Sequence, residues 1–424
     1  MNTREKNLKI AVIGGGVSGI TAAYLLQKNH QVTLYEKNDY IGGHTHTVVI
    51  PDGPDAGTPV DTGFIVLNRK TYPNLLRFLA LHSVDIAPTE MSLSYHERDT
   101  RFTYATQNLN ALFADRSNLI KPWYWKFLFE IRRFLLQTRT DYHAGRLTGL
   151  NLGEYLQKCS YSEDLTRRFI LPWSAAIWSA ADVKMREFPM EAFAQFYENH
   201  GLLSVEKEVP WFFVKGGSHT YVHAFLNRFN GTVIKDCPIQ EIRRDDSVTV
   251  TTKEGSEEAF DKIVIATHAD EALALLKDPR PLEKQLLGAW QYSQNQVYLH
   301  TDRRYMPDNR RAWASWNYLR TPGKVGSDPI TVTYWMNRLQ RLKTQRHYLV
   351  TLNPPQSMDE NHVIKAISYT HPIYSFESFD SQKKLSKLNG ENNTYFCGSY
   401  FGYGFHEDGV KSATEVGKHF GVTL

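Results

Sequence analysis

The chain has 424 residues, with 49 basic against 45 acidic side chains for a formal charge of +4 and an apolar fraction of 42%. That near balance lacks the concentrated positive charge of a nucleic-acid binder, so no nucleic-acid partner is expected, and three cysteines without a CxxC (Cys159, Cys237, Cys397) point to neither a disulfide framework nor a thiolate metal site. A polar start and the lack of an apolar run of about 18 residues predict a cytoplasmic protein with no membrane span, and the length predicts two domains.

Leu8 to Ile13 is an unbroken apolar run apart from Lys9, the pattern of a strand buried on both faces of a parallel sheet. Gly14, Gly16 and Gly19 follow as G-x-G-x-x-G, with Val17 and Ser18 between the last two. In that motif the first glycine permits a tight turn, the second lets backbone approach a pyrophosphate, and the third packs helix on strand. Small residues continue the close face at Ala22 and Ala23. Val32 to Tyr35 reads as the second strand, and Glu36 at its end, followed by Lys37, stands near the spacing of a ribose-binding carboxylate. The order strand, glycines, helix, strand, acid predicts an α/β, Rossmann-like unit holding an ADP moiety. It does not choose between NAD and FAD.

Residues 71–204 are helical in pattern. Within them "KPWYWKFLFEIRRFLLQTR", 121–139, places Lys126, Glu130, Arg133 and Gln137 on one narrow polar stripe among aromatic and aliphatic residues. Two readings stand: a core helix beside a substrate cavity, or a peripheral membrane contact with aromatics among lipid headgroups. "VPWFFVKGGSHTYVHAFL", 209–226, reads as strand, glycine pair and helix; alternating short strands follow, and "FDKIVIAT" is a buried strand. Residues 291–390 are strand-rich, with "QVYLHTD", "AWASWNYL", "PITVTYWMNRLQ" and "HYLVTLNP". The chain contains no H-E-x-x-H, G-x-S-x-G or P-loop signature, so metal, serine-hydrolase and nucleotide-hydrolysis chemistry is not expected.

Three further stretches narrow the cofactor: "EKNDYIGGHTHTV", "PVDTGFIVLN" and the C-terminal "NTYFCGSYFGYGFHEDGVKSATEVGKHF". Together they resemble the flavin-containing amine oxidase and phytoene desaturase superfamily over nearly the full length. The resemblance implies dissociable FAD in a GR2-type Rossmann-like domain built from 1–70, 205–290 and 391–424. An α+β substrate domain would come from 71–204 and 291–390. It implies cofactor contacts from Gly42, Gly43, His44 and Thr45, with His44 where the family normally has an arginine, and from Gly63, Phe64 and Ile65. Ile239 takes the position whose backbone meets adenine, and Ala266 and Thr267 close a strand near the cofactor. The last strand would be Thr394 to Cys397, followed by a loop with Gly398, Ser399, Gly404 and Phe405 and a helix beginning near Asp408; the other reading is a polar turn that merely caps this terminal helix, with Asp408 as N-cap. That helix would aim unpaired N–H groups at the ring. Tyr403 and His406 would then reach the reactive atoms, His406 as acid or base near neutral pH.

"AWASWNYL", "VTYWMNRLQ" and "LPWSAAIWS" are most similar to a bacterial branch of predicted NAD/FAD-binding proteins whose genes often lie beside cyclopropane fatty-acid synthase relatives. This implies a lipophilic, acyl substrate and desaturase-like hydride removal. Amine oxidation with oxygen is the alternative, and a non-catalytic flavin-binding accessory of a membrane-lipid enzyme is a third reading. The oligomeric state is left open.

Overall fold

A computed structural model describes residues 7–178, 185–204, 209–245, 247–321 and 331–424. Ser179 at the end of "LPWSAAIWS", Pro329 and Ile330 at the head of "PITVTYWMNRLQ", and the boundary expected at 205 lie outside the described residues. The fold is α/β. Its central sheet has five parallel strands in the order Thr232–Ile234, Gln31–Tyr35, Lys9–Ile13, Lys262–Ile265, Thr394–Phe396, so the front, middle and tail of the chain meet in one layer. Ile10 and Val12 face one cluster with Ile20, Leu25, Val410 and Val416, whereas Ala11 and Ile13 face another with Ile263, Ile265 and Phe396. Both faces are covered, which is why the first strand shows no polar alternation.

Helix Val17–Leu26 and the closing helix His406–His419 pack against each other on one side of this sheet. The reason is legible in "GVKSATEVG": Gly409, Ala413 and Gly417 recur every four residues and form one small-residue face. A Cβ added at Gly409 would lie 2.7 Å from Ser18 Oγ, and one at Gly417 would lie 3.0 Å from Leu25 Cδ1. Val410 and Val416, fully buried beside that face, each contribute roughly 1.5–3 kcal/mol. Helix Pro73–Leu81, beyond the boundary expected at residue 70, buries Leu75, Phe78 and Leu79 in the same cluster as Ile10.

The second sheet has seven strands in the order Val363–Ile373, Gln291–His300, Leu349–Leu352, Thr331–Trp335, Trp316–Arg320, Leu93–Glu97, Thr103–Ala105. The last two come from 71–204, whose pattern reads as helical, so that expectation is corrected. Ser94, His96 and Glu97 are all buried, and Glu97 takes Arg167 at 2.9 Å and Arg168 at 3.1 Å. A strand whose polar residues face protein hides its own alternation. The 71–204 segment does supply helices, among them Pro122–His143 and Met190–Asn199, which pack together.

The polar stripe of helix Pro122–His143 is largely engaged with protein. Glu130 is buried against Ser162 Oγ, Arg133 donates to Cys159 O at 2.6 Å and lies over the Tyr161 ring, and Tyr161 OH donates to Gln137 Oε1 at 2.8 Å. Three of its four residues therefore fasten the helix to residues 159–162, and only Lys126 is exposed. Among the described residues no helix is long and apolar enough to cross a membrane.

Candidate functional site

Two glycine turns cross at the carboxyl ends of the central strands, where parallel sheets bind ligands. Gly14 has φ of 101°, and a Cβ there would lie 3.0 Å from Ala266 O. Gly42 N–H donates to Gly15 O at 2.8 Å, and a Cβ on Gly43 would stand 3.2 Å from Gly16 Cα. A Cβ on Gly16, by contrast, meets nothing within 4 Å. Helix Val17–Leu26 begins at this point with Val17 and Ser18 and has no side chain capping its N-terminus. Uncapped N–H groups, a helix dipole and backbone open to approach make a cradle for a diphosphate.

Glu36 sits beside this cradle, 5% exposed, accepting Gly15 N–H at 2.7 Å on one oxygen and Asn38 N–H at 2.9 Å on the other. Cys237 N–H donates to Glu36 O at 2.9 Å, which brings the start of strand Ile239–Arg244 alongside. Lys37 does not join it. Its ammonium pairs with Glu271 at 2.6 Å, with the lysine side chain 59% exposed, so the side chain turns from the cradle to the surface.

Beyond the second turn, His44 stacks on Tyr369 at 4.8 Å and lies 5.3 Å from His371 and 6.1 Å from His268, which itself stacks on Tyr292 at 4.4 Å. Burial, then the neighbouring His371 and His268, hold the His44 imidazole well below its ordinary range, and burial brings His371 to about 4. The ring in the arginine position is therefore neutral. Its Nε2 is buried without a hydrogen-bond partner among the described residues, an orphan worth about 1–3 kcal/mol that a ligand group would satisfy. Backbone geometry fixes this ring's loop: Phe64 N–H donates to His44 O at 2.8 Å, and a Cβ on Gly63 would come within 2.2 Å of that oxygen. Ile65 is buried behind it, and Ala266 N–H donates to Ile13 O at 2.8 Å while Thr267 follows at the strand end.

The tail supplies the opposite end. Gly398 N–H donates to Ser412 Oγ at 3.0 Å, and Gly404, with φ of 86°, donates to Ser399 O at 3.1 Å. Asp408 is not the N-cap: the helix starts at His406 with Phe405 capping, and Asp408 in its first turn accepts the N–H groups of Tyr403 and Phe405, both at 3.0 Å. The carboxylate reaches back to clamp the loop instead of opening the helix. Enclosure raises it to about 7.

His406 is held between Thr45, whose Oγ1 is 2.9 Å from its Nε2, and the Phe64 ring, stacked at 3.9 Å. Burial pulls its pKa down to about 3. Packed in this way, the imidazole is held in its neutral form around neutral pH. Replacing it by Gln is expected to leave the pH profile of kcat/KM between pH 6 and 8 unmoved; loss of an ionisation near 6.5 in that variant would contradict this account. Tyr403 OH donates to Gln195 Oε1 on helix Met190–Asn199, while its ring lies 5.7 Å from Phe196. Burial raises the phenol far above its ordinary value.

Sequence reasoning missed several members of this arrangement. Asp61, fully buried, accepts Ser218 N–H at 2.8 Å, Thr47 Oγ1 at 2.5 Å and Gln340 Nε2 at 3.0 Å, tying three distant segments behind His44; burial raises it to about 6. Its signal was its place in "PVDTGF". Glu407 accepts the N–H groups of Asn74 and Leu75 and so caps helix Pro73–Leu81 from the tail. His268 and the pair Tyr369 and His371 converge from two segments, and no local pattern announces them.

The donors and spaces on this path fit FAD. Gly14 to Gly19 and Gly42 to Gly43 suit the diphosphate, Glu36 a ribose hydroxyl, the Ile239 strand the adenine, and the neutral His44 together with the 398–406 loop the ring. Fold and site define an FAD-dependent oxidoreductase. The family model of flavin-containing amine oxidoreductases matches residues 17–417, and the chain belongs to that family. Solved structures share the fold: cyclohexylamine oxidase from Brevibacterium oxydans IH-35A (TM-score 0.69, 14% identity, 98% of each chain) and a CLA-producing fatty acid isomerase from P. acnes (TM-score 0.66, 16% identity, 99% of this chain and 100% of that one). The FAD-dependent oxidoreductase dpasF of Apiospora sacchari is 40% identical over 72 residues, 16% of this chain and 15% of that protein. Coproporphyrinogen III oxidase of Mycobacterium tuberculosis (strain ATCC 25618 / H37Rv) is 38% identical over 84 residues, 18% of each chain. The matches therefore span less than a fifth of those curated relatives.

Proposed function

We propose that this enzyme removes hydride from a lipophilic substrate, with a fatty-acyl chain as the class. The observation that carries the reading is the ring-lined, uncharged wall over Tyr403 and Phe405. Phe196 stacks on Phe405 at 5.1 Å, Phe379 lies 6.2 Å from Tyr403, and Trp178 lies 4.8 Å from Phe196. His200, stacked on Phe196 at 3.9 Å, is held by burial at about 4 and is neutral. Such a wall gains about 0.8 kcal/mol for each methylene it removes from water and opposes entry of an ammonium. The P. acnes isomerase supports the reading, since a protein of this fold acts on a fatty acid.

FAD, when bound, would supply the two-electron acceptor that takes the hydride. The chain's own residues exclude water, hold the acyl chain against the rings and keep the His44 and His406 imidazoles neutral. Cyclohexylamine oxidase has the same fold, which makes amine oxidation the competing reading. Under nitrogen, oleate in phospholipid vesicles is expected to bleach the flavin absorbance of the purified enzyme, while cyclohexylamine and putrescine in air release no peroxide. Peroxide from either amine with no bleaching by oleate would overturn the acyl reading.

A further inference from the structure

Helix Pro122–His143 turns its polar stripe inward, and what it leaves outside is apolar. Phe129 is 64% exposed and Trp125 52%, and Leu136 continues the same face. Ile120, just before the helix, is 85% exposed, and its neighbour Leu119 accepts the Trp125 indole N–H at 2.9 Å. Trp125 also packs on Phe113 at 5.3 Å, which joins this face to helix Leu109–Leu112 and the exposed Leu109. Large apolar side chains gathered in one region, not scattered singly, mark an interaction surface.

Charge accompanies the patch. Arg132 is exposed on the Trp125 and Leu136 face and Lys126 at its edge, and neither has a carboxylate partner among the described residues. The neighbouring carboxylates are engaged: Asp115 with Lys121, Glu163 with Arg186, Asp164 with Arg168 and Glu198 with Arg139. Beside helix Leu109–Leu112 a cavity of about 260 Å³ is lined by Arg310, Arg311, Arg338 and His347, with Trp313 and Trp335 as ring walls. Arg338 is paired with Glu90 at 2.6 Å, whereas Arg310 lies over the Trp313 ring at 5.2 Å and, like Arg311, has no carboxylate partner among the described residues. Gln107 and Asn108, which also line the cavity, lead directly into Leu109, and Asn309 Nδ2 donates to Ala114 O at 2.7 Å. Residues 107–109 and the bond from Asn309 to Ala114 thus tie the cation-lined cavity to the segment that carries the apolar patch.

We propose that this surface docks on an anionic phospholipid bilayer, with Ile120, Trp125 and Phe129 entering the boundary between headgroups and acyl chains and the Arg310–Arg311 cavity holding a lipid phosphate. Aromatics at the interface with cations beside them are what such a surface requires. A second copy of the chain would bring Lys126, Arg132, Arg310 and Arg311 against their own kind, which disfavours self-association. The same helix packs on Met190–Asn199, whose Phe196 touches Tyr403 and Phe405, so one helix layer separates the docking face from the aromatic wall.

The test uses the full-length, FAD-loaded protein in flotation with vesicles of phosphatidylcholine alone and with one part in three phosphatidylglycerol, tryptophan emission being recorded in parallel. Binding to the anionic vesicles with a blue shift is expected. The pair Trp125→Ser and Phe129→Ser, and separately the pair Arg310→Glu and Arg311→Glu, should each lower the bound fraction at least tenfold at unchanged FAD content. Free inorganic phosphate at millimolar concentration should not abolish flotation, because the apolar contacts act with the cations; abolition would assign the cavity to soluble phosphate. Absence of flotation, equal flotation of wild type and both variants, or a concentration-dependent dimer lost in the Trp125 and Phe129 variant would overturn the proposal.

Discussion

Gly16→Ala is expected to yield a folded protein that has lost FAD affinity by more than tenfold, whereas Gly19→Ala should fail to hold its fold. The two glycines stand three residues apart and face opposite constraints. A methyl at Gly16 meets nothing within 4 Å, and its φ of −73° suits alanine, so the cost is the modest one of a poorer helix cap, about 1 kcal/mol or less. The methyl would nevertheless occupy the approach that a diphosphate needs to reach the helix N-terminus. At Gly19 the added carbon would lie 1.8 Å from Gly14 O, backbone against backbone, and the helix cannot retreat because Gly409 and Gly417 hold the closing helix behind it. Overpacking of that kind costs on the order of 3 kcal/mol or more. Urea unfolding and flavin content after gel filtration separate the outcomes: a destabilised Gly16→Ala, or a Gly19→Ala that matches wild type, would contradict this assignment.

The contrast also shows what the sequence could and could not disclose. The front unit was legible because its constraints are local: turn, close approach and helix packing each fall on one glycine, and the acid follows on the next strand. The closing helix was legible as a helix, but its partner was not read, although the four-residue spacing of Gly409, Ala413 and Gly417 carried that information. Strand Leu93–Glu97 escaped because its polar residues Ser94, His96 and Glu97 are buried along with its apolar ones, Glu97 against Arg167 and Arg168, so the period-two signal is erased. The direction of the polar stripe on helix Pro122–His143 was not legible for a related reason. A polar stripe normally faces water, yet here Glu130, Arg133 and Gln137 find their partners in residues 159–162, and only tertiary structure can reverse that inference. His406 shows the same limit for chemistry: the histidine is plain in the sequence, but the packing of Thr45 and Phe64 around it is not.

Asp408→Asn is expected to flatten the pH dependence of stability. The wild-type carboxyl is raised from 3.8 to about 7, chiefly by desolvation, so the folded state binds its proton more tightly than the unfolded chain does. The associated stability is fully present below about pH 4 and is lost as pH rises through 7, a decline of roughly 4 kcal/mol at most. Asp61, raised to about 6, adds a decline of the same sign, so the discriminating quantity is the difference between wild type and variant. Asparagine keeps an oxygen for the Tyr403 and Phe405 N–H groups and carries no charge, so it should gain on wild type as pH rises from 5 to 7.5. Asp408→Ala, which leaves both loop donors without an acceptor, should instead lose about 1–3 kcal/mol at every pH and release FAD more readily, since the Tyr403 and Phe405 N–H groups then lose the carboxylate that holds them. Urea unfolding of FAD-loaded protein at several pH values resolves the three proteins. Parallel curves for wild type and Asp408→Asn would show that the carboxyl is ordinary and that its place under the loop is a matter of packing alone.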